Sequence, residues 1–171
     1  MKRWFFSFAV LFFLTGLVFY GNALDQSLVL YLAMDENAGK VVHDLSSFKN
    51  DASFEGSPKW VPGKFKTCIE FSPNNYLKVK DSDSLDITKA ITIEFWVTLK
   101  VVTGAQQSGV EKGNGWVTGE YNLLPEYNGG ILLQIFDLPE ECDDEGQTGS
   151  AATMADGSWH FIAATWDGST I

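Results

Sequence analysis

The sequence predicts an all-β domain, and three observations carry this prediction. Apolar residues alternate with polar ones over residues 91–97, which places the apolar side chains on one face of a single strand. Residues 156–171 contain a turn, a run of aromatic and β-branched residues, and a second turn. After the first 23 residues, no apolar period of 3.6 residues persists for three turns, so no long helix is expected. Short strands at regular spacing indicate a sandwich or a barrel.

The first 23 residues have the pattern of a secretory signal peptide. Lys2 and Arg3 form a short cationic start, and residues 4–19 are an almost continuous apolar run. The small residues in 21–23 favour cleavage after Ala23. An uncleaved membrane anchor is the alternative, but the apolar run is shorter than the roughly 20 residues that a spanning helix needs. We therefore expect a secreted or cell-surface protein, which contacts a membrane only if this segment stays uncleaved.

The remaining residues, 24–171, match the size of one domain, and neither a linker nor a repeat divides them. The whole chain has 12 basic and 22 acidic residues and a net charge of −10. Both basic residues of the signal would leave on cleavage, so the mature domain would carry 10 basic and 22 acidic residues, a net charge of −12. Such a charge argues against nucleic acid and anionic membranes as partners and suits divalent cations.

The first half of the mature domain alternates apolar runs with turn residues. Residues 28–34 are apolar on both faces, as in a covered central strand, and residues 35–39 end that run. Residues 44–52 are polar and turn-forming. Residues 68–71 and 76–80 have the pattern of the two strands of a hairpin.

The second half contains a less regular stretch, residues 103–130, before the next clear strand at residues 131–138. Trp116, Tyr121 and Tyr127 are scattered through this glycine-containing stretch. Aromatic faces on a loop can stack against sugar rings, so we predict these three residues as ligand-binding. The alternative, that these rings pack in the core or within loops, stays open.

Three further tryptophans lie within predicted strands. Trp96, Trp159 and Trp166 occur in the two most regular apolar runs of the sequence. We therefore expect them to pack in the core or on a sheet face.

The two cysteines, Cys68 and Cys142, both lie in the part of the chain that would be exported. An oxidising compartment allows them to form a disulfide, and this pairing is our prediction. The alternative is two separate thiols, with Cys68 buried in a strand and Cys142 in an acidic loop.

Five segments resemble the laminin-G-like jelly rolls of the concanavalin A-like lectin/glucanase superfamily. They are residues 30–39, 44–52, 64–79, 84–97 and 156–163, and they occur in the family's order. The resemblance implies an antiparallel jelly-roll β-sandwich. It also implies two or three further strands beyond the last segment, so we expect the sandwich to be incomplete at its C-terminal end.

The resemblance also implies a structural calcium ion. Asp35 follows the first predicted strand, where family members often carry an acidic ligand. Asp44 and Asp51 are weaker candidates, because their oxygens suit a hard cation but more often form Asx turns.

An acidic run at residues 141–145 is the one candidate for catalysis. Laminarinase-type members of the superfamily hydrolyse glucans with a Glu-x-Asp-x-Glu strand, which this run resembles. That strand needs apolar residues between its carboxylates, whereas Cys142 and Asp144 occupy those positions and Pro139 and Gly146 flank the run. This is the composition of a loop, so we do not expect an enzyme.

These observations together predict a secreted, non-catalytic module for binding or adhesion. Glycan is the expected ligand class, and a cell-surface protein is the next. Two alternatives remain, namely a glucan-degrading hydrolase of the same superfamily and a structural domain of a larger surface protein.

Overall fold

A computed structural model describes residues 26–99, 109–113, 120–125, 130–136, 147–149 and 154–171 of the chain. The predicted signal segment lies outside these residues. Within them, no helix is long and apolar enough to cross a membrane. The strands are β1 (Val41–Val42), β2 (Ala52–Glu55), β3 (Lys59–Pro62), β4 (Thr67–Glu70), β5 (Tyr76–Val79), β6 (Ile91–Thr98), β7 (Val110–Lys112), β8 (Tyr121–Pro125), β9 (Ile131–Ile135), β10 (Gln147–Gly149) and β11 (Trp159–Trp166), with one 3₁₀ helix at Asp83–Leu85.

Every strand pairing among the described residues is antiparallel. One sheet has the order β1-β2-β5 and another the order β10-β9-β8-β7. Strands β6 and β11 form a third sheet, and β3 and β4 form a fourth. This architecture confirms the predicted all-β class and the antiparallel β-sandwich.

Two apolar clusters hold the sheets together. The larger one joins the inner faces of the β6-β11 and β7-β10 sheets, and Leu123 and Leu133 are its most deeply buried side chains. The smaller one lies beneath β1, β2 and β4 and contains Val42, Ala52 and Ile69. Burying a side chain of this size stabilises the fold by roughly 1.5–3 kcal/mol, so these clusters are the main source of stability.

The long strand β6 confirms the alternation seen in the sequence. Ile91 and Ile93 are buried in the larger cluster, whereas Thr92 and Glu94 are exposed. Successive side chains of a strand point to opposite faces, so the sheet has one apolar and one solvent-facing side.

The predicted strand at residues 28–34 is wrong. Only Leu32 forms an isolated bridge there, with Asp44. The backbone N–H of Tyr31 donates to the Asp44 carboxylate at 2.8 Å instead of joining a ladder, and the Tyr31 carbonyl accepts from the Leu45 N–H at 2.9 Å. A side-chain acceptor has therefore replaced part of the expected strand pairing.

The predicted hairpin is also wrong, although both of its strands exist. Strand β4 pairs with β3, and β5 pairs with β2. A tight turn joins β3 to β4, with a hydrogen bond of 3.1 Å from the Gly63 N–H to the Lys66 carbonyl. The turn between β4 and β5 therefore links two different sheets.

The stretch predicted to be irregular contains β7 and β8, which pair with each other. Residues 121–125 of this stretch also pair with β9. It thus contributes two strands of the largest sheet and is not solely a loop region.

Candidate functional site

The solvent-facing side of the β6-β11 sheet carries an unusual row of aromatic residues. Trp96 and Phe161 are direct partners across the two strands, and they lie on the face opposite Ile93 and Ile162. Because the buried positions alternate with these positions, the register itself places both rings on the outside.

A third ring reaches the same place from the turn between β3 and β4. Phe65 packs edge-on against Trp96, with ring centroids 5.8 Å apart and ring planes at 87°. Trp96 and Phe161 lie 5.4 Å apart at 47°. We call Phe65, Trp96 and Phe161 the aromatic patch. Both ring pairs have the separations and tilts that aromatic side chains favour.

The patch is open to solvent. The exposed fraction is 77% for Phe65, 41% for Trp96 and 52% for Phe161. Single exposed apolar residues are ordinary, but adjoining ones mark a binding surface or an aggregation hazard. This patch is therefore the leading candidate for a ligand contact among the described residues.

Lys64 covers part of the patch. Its ammonium nitrogen lies 4.9 Å from the centroid of the Trp96 ring, in a cation–π contact. Such a contact stabilises by roughly 0.5–1 kcal/mol at an exposed site. A ligand can therefore displace Lys64 from the ring at small cost.

The acidic residues predicted as calcium ligands lie on a different part of the fold. Asp44 is 1% exposed, and both carboxylate oxygens are occupied by hydrogen bonds. Oδ1 accepts from the N–H groups of Tyr31 and Ser46 at 2.8 and 2.9 Å. Oδ2 accepts from the Ser46 hydroxyl at 2.6 Å and from the Asn50 N–H at 2.7 Å.

This environment acts on the Asp44 pKa in two directions. Burial opposes the charged form, but the hydrogen bonds from Ser46, Tyr31 and Asn50 outweigh it and lower the pKa below its ordinary value. The charged carboxylate thus organises the polar loop at residues 44–52. Asn50 extends the network by donating to the Val29 carbonyl at 3.0 Å and the Ser84 hydroxyl at 2.9 Å.

The other two predicted calcium ligands have protein partners of their own. Asp51 accepts from the Asp44 N–H at 2.9 Å and contacts the His43 ring at 3.0 Å, and both contacts lower its pKa. Asp35 pairs with Lys66 at 2.6 Å. The described residues contain no group of three or more His, Cys, Asp or Glu side chains that could hold a metal ion. This donor set does not fit a shared calcium ion, and calcium binding stays a prediction.

Tyr121 differs from the expectation of a ring on a loop. It lies in β8, is 8% exposed and belongs to the larger core cluster. Burial raises the pKa of its hydroxyl, with smaller effects from Lys112 and Asp86. Its ring packs in the core because β8 has β7 and β9 on either side.

Several predicted site residues lie outside the described part of the chain. They are Trp116, Tyr127, Cys142 and the acidic run at residues 141–145. Cys68 lies in β4 as a free thiol, with its sulfur 3.7 Å from the Pro62 carbonyl. Burial, with Glu70 nearby, raises the pKa of this thiol. The pairing of Cys68 with Cys142 stays a prediction.

Sequence reasoning placed Trp96 in the core or on a sheet face and did not single out Phe65 or Phe161. One signal was available, because Trp96 occurs at a position of β6 whose neighbours on the same face, Thr92 and Glu94, are polar. An aromatic residue on the polar side of an alternating strand is a surface residue with a possible contact role. The approach of Phe65 had no comparable signal.

Comparison with known proteins identifies one family. A family model of the laminin G type, described as the concanavalin A-like lectin/glucanases superfamily, matches residues 71–171. The matched segment includes Trp96 and Phe161 and begins after Phe65. No curated protein and no solved structure matches the chain.

Proposed function

Because the chain belongs to the concanavalin A-like lectin/glucanase superfamily, we propose that it is a secreted, non-catalytic module that binds glycans through the aromatic patch. The superfamily supports a binding or lectin-like role in general terms. The single observation that favours a glycan is the exposed contact of Phe65, Trp96 and Phe161.

The chemistry of sugars explains why such a patch suits them. One face of a sugar ring is lined with C–H groups, and these pack against aromatic faces while the hydroxyls meet polar groups around them. The aromatic patch supplies the apolar surface, and Glu94 lies two residues from Trp96 on the same face of β6. Lys64 can move aside at small cost and donate a hydrogen bond to a sugar oxygen.

The test is binding of the purified protein to a glycan array, followed by titration with the best ligand. Trp96→Ala should weaken binding by about 2 kcal/mol, roughly thirtyfold, because a central aromatic contact is lost. Phe161→Ala should weaken it less, and the double variant should not bind. Tyr76→Ala is the matched control, because Tyr76 is 54% exposed on the separate strand β5.

Two results would overturn the proposal. One is an array without any bound glycan, and the other is glycan binding that Trp96→Ala and Phe161→Ala leave unchanged while both variants keep wild-type stability. Incubation of the protein with soluble glucans tests the non-catalytic part separately. Release of reducing ends above a no-protein control would favour the hydrolase alternative.

A further inference from the structure

The outer face of the β6-β11 sheet continues beyond the aromatic patch as a polar strip. The paired positions along it are Trp96 with Phe161, then Glu94 with Ala163, then Thr92 with Thr165. Each step of two residues advances about 7 Å along the strands. The face therefore changes from aromatic to carboxylate to hydroxyl along one line.

Glu94 is available to a ligand on this strip. It is exposed, and its carboxylate has no hydrogen-bond or ion-pair partner within the described ranges. Its cross-strand neighbour, Ala163, is also exposed and presents only a methyl group, so it leaves the space beside Glu94 open. Beyond it, the hydroxyls of Thr92 and Thr165 lie 3.1 Å apart and form a polar end to the strip.

The charge of Glu94 restricts what can lie there. An ionised carboxylate only accepts hydrogen bonds, so it binds sugar hydroxyls and repels a sugar carboxylate or sulfate. The chain as a whole carries a net charge of −10, which adds to this repulsion. The strip thus favours uncharged sugars.

The angles between the rings exclude a second class of ligand. A flat crystalline polysaccharide surface needs aromatic rings in one plane. Phe65 and Trp96 lie at 87°, and Trp96 and Phe161 lie at 47°, so the patch cannot lie flat on such a surface. A single soluble chain can turn to follow rings at these angles.

We infer that the strip formed by Trp96, Glu94 and the Thr92–Thr165 pair binds a single chain of a neutral polysaccharide along the strand direction, with Glu94 as the residue that rejects acidic chains. This inference rests on the proposed function, because it assigns the ligand class of the same surface. It adds Glu94 as a specificity-determining residue outside the aromatic patch.

Affinity electrophoresis of the whole protein tests it with named polymers. Hydroxyethylcellulose, galactomannan and arabinoxylan serve as neutral chains, alginate and heparin as acidic chains, and microcrystalline cellulose as a flat surface in a pull-down. At least one neutral chain should retard the protein. The acidic chains should not retard it, and the crystalline cellulose should not sediment it.

Variants of Glu94 then separate charge from folding. Glu94→Gln should weaken binding to the neutral chain about tenfold, because a hydrogen bond to a charged acceptor is lost. Glu94→Lys should gain binding to alginate. Glu70→Gln changes an exposed acid on β4 and should have no effect.

The outcomes distinguish this inference from the proposed function. Retardation by alginate or heparin in preference to every neutral chain, or sedimentation with crystalline cellulose, would overturn the inference and leave glycan binding intact. Neutral-chain binding that Glu94→Gln leaves within twofold would overturn the role of Glu94. Binding to no polymer and to no array glycan would overturn both.

Discussion

Replacement of Asp44 by alanine removes an acceptor that four hydrogen-bond donors share. The side chain is 1% exposed, and its donors are the N–H groups of Tyr31, Ser46 and Asn50 and the Ser46 hydroxyl. A hydrogen bond to a charged group stabilises by about 1.5–3 kcal/mol, but bonds to one carboxylate are not additive. Since buried donors would also be left unpaired, we expect Asp44→Ala to lower the free energy of unfolding by about 3–5 kcal/mol.

Asp44→Asn gives a finer test because it keeps the size of the side chain. Its amide retains one oxygen, but its NH₂ group faces donors that the second carboxylate oxygen accepted. The expected loss is about 2–4 kcal/mol. Asp35→Asn is the control, because it breaks a surface ion pair with Lys66 and should not change stability measurably.

The assay is urea unfolding followed by tryptophan fluorescence, with and without calcium or a chelator. The Asp44 variants should lose the same stability in both conditions, since protein donors satisfy the carboxylate. A loss that appears only with calcium present would show that Asp44 acts as a metal ligand and would refute this reasoning. So would a loss no larger than that of the Asp35 control.

The pH dependence of stability has a definite sign. The Asp44 pKa in the folded protein lies below its ordinary value of 3.8, so the folded state favours the carboxylate. This contribution is complete above the ordinary pKa and is lost as the pH falls through the lower folded pKa. The wild-type protein should therefore lose more stability than Asp44→Asn below about pH 4.

Two further predictions concern the turns that flank β11. Gly168→Ala should destabilise by about 1–3 kcal/mol more than Gly157→Ala, because both glycines have positive φ but a Cβ on Gly168 would lie 2.7 Å from the Lys89 carbonyl oxygen. Equal losses in urea unfolding would show that the turn relaxes. The pKa of Asp156 is lowered chiefly by its hydrogen bond with His160, so NMR titration of His160→Ala should show this pKa rising toward its ordinary value, and an unchanged pKa would contradict that assignment.

Local patterns in the sequence predicted much of the secondary structure. The alternation of β6 was correct because burial on one face of a strand imposes a period of two on its residues. Residues 28–34 were wrong because the Asp44 carboxylate, which lies beyond them in the chain, takes the Tyr31 N–H. The burial of Tyr121 also escaped the sequence, since it depends on the strands that lie on both sides of β8.

The sequence by itself determined the β-rich class, the antiparallel sandwich through its family resemblance, and the acidic charge, because local periodicity, motifs and composition carry this information. Only the tertiary structure decided which strands pair, and hence that Trp96 lies opposite Phe161 and beneath the turn that carries Phe65. The physical reason is that a surface site on a sheet depends on register and on contacts between residues distant in the chain, and no local pattern encodes either.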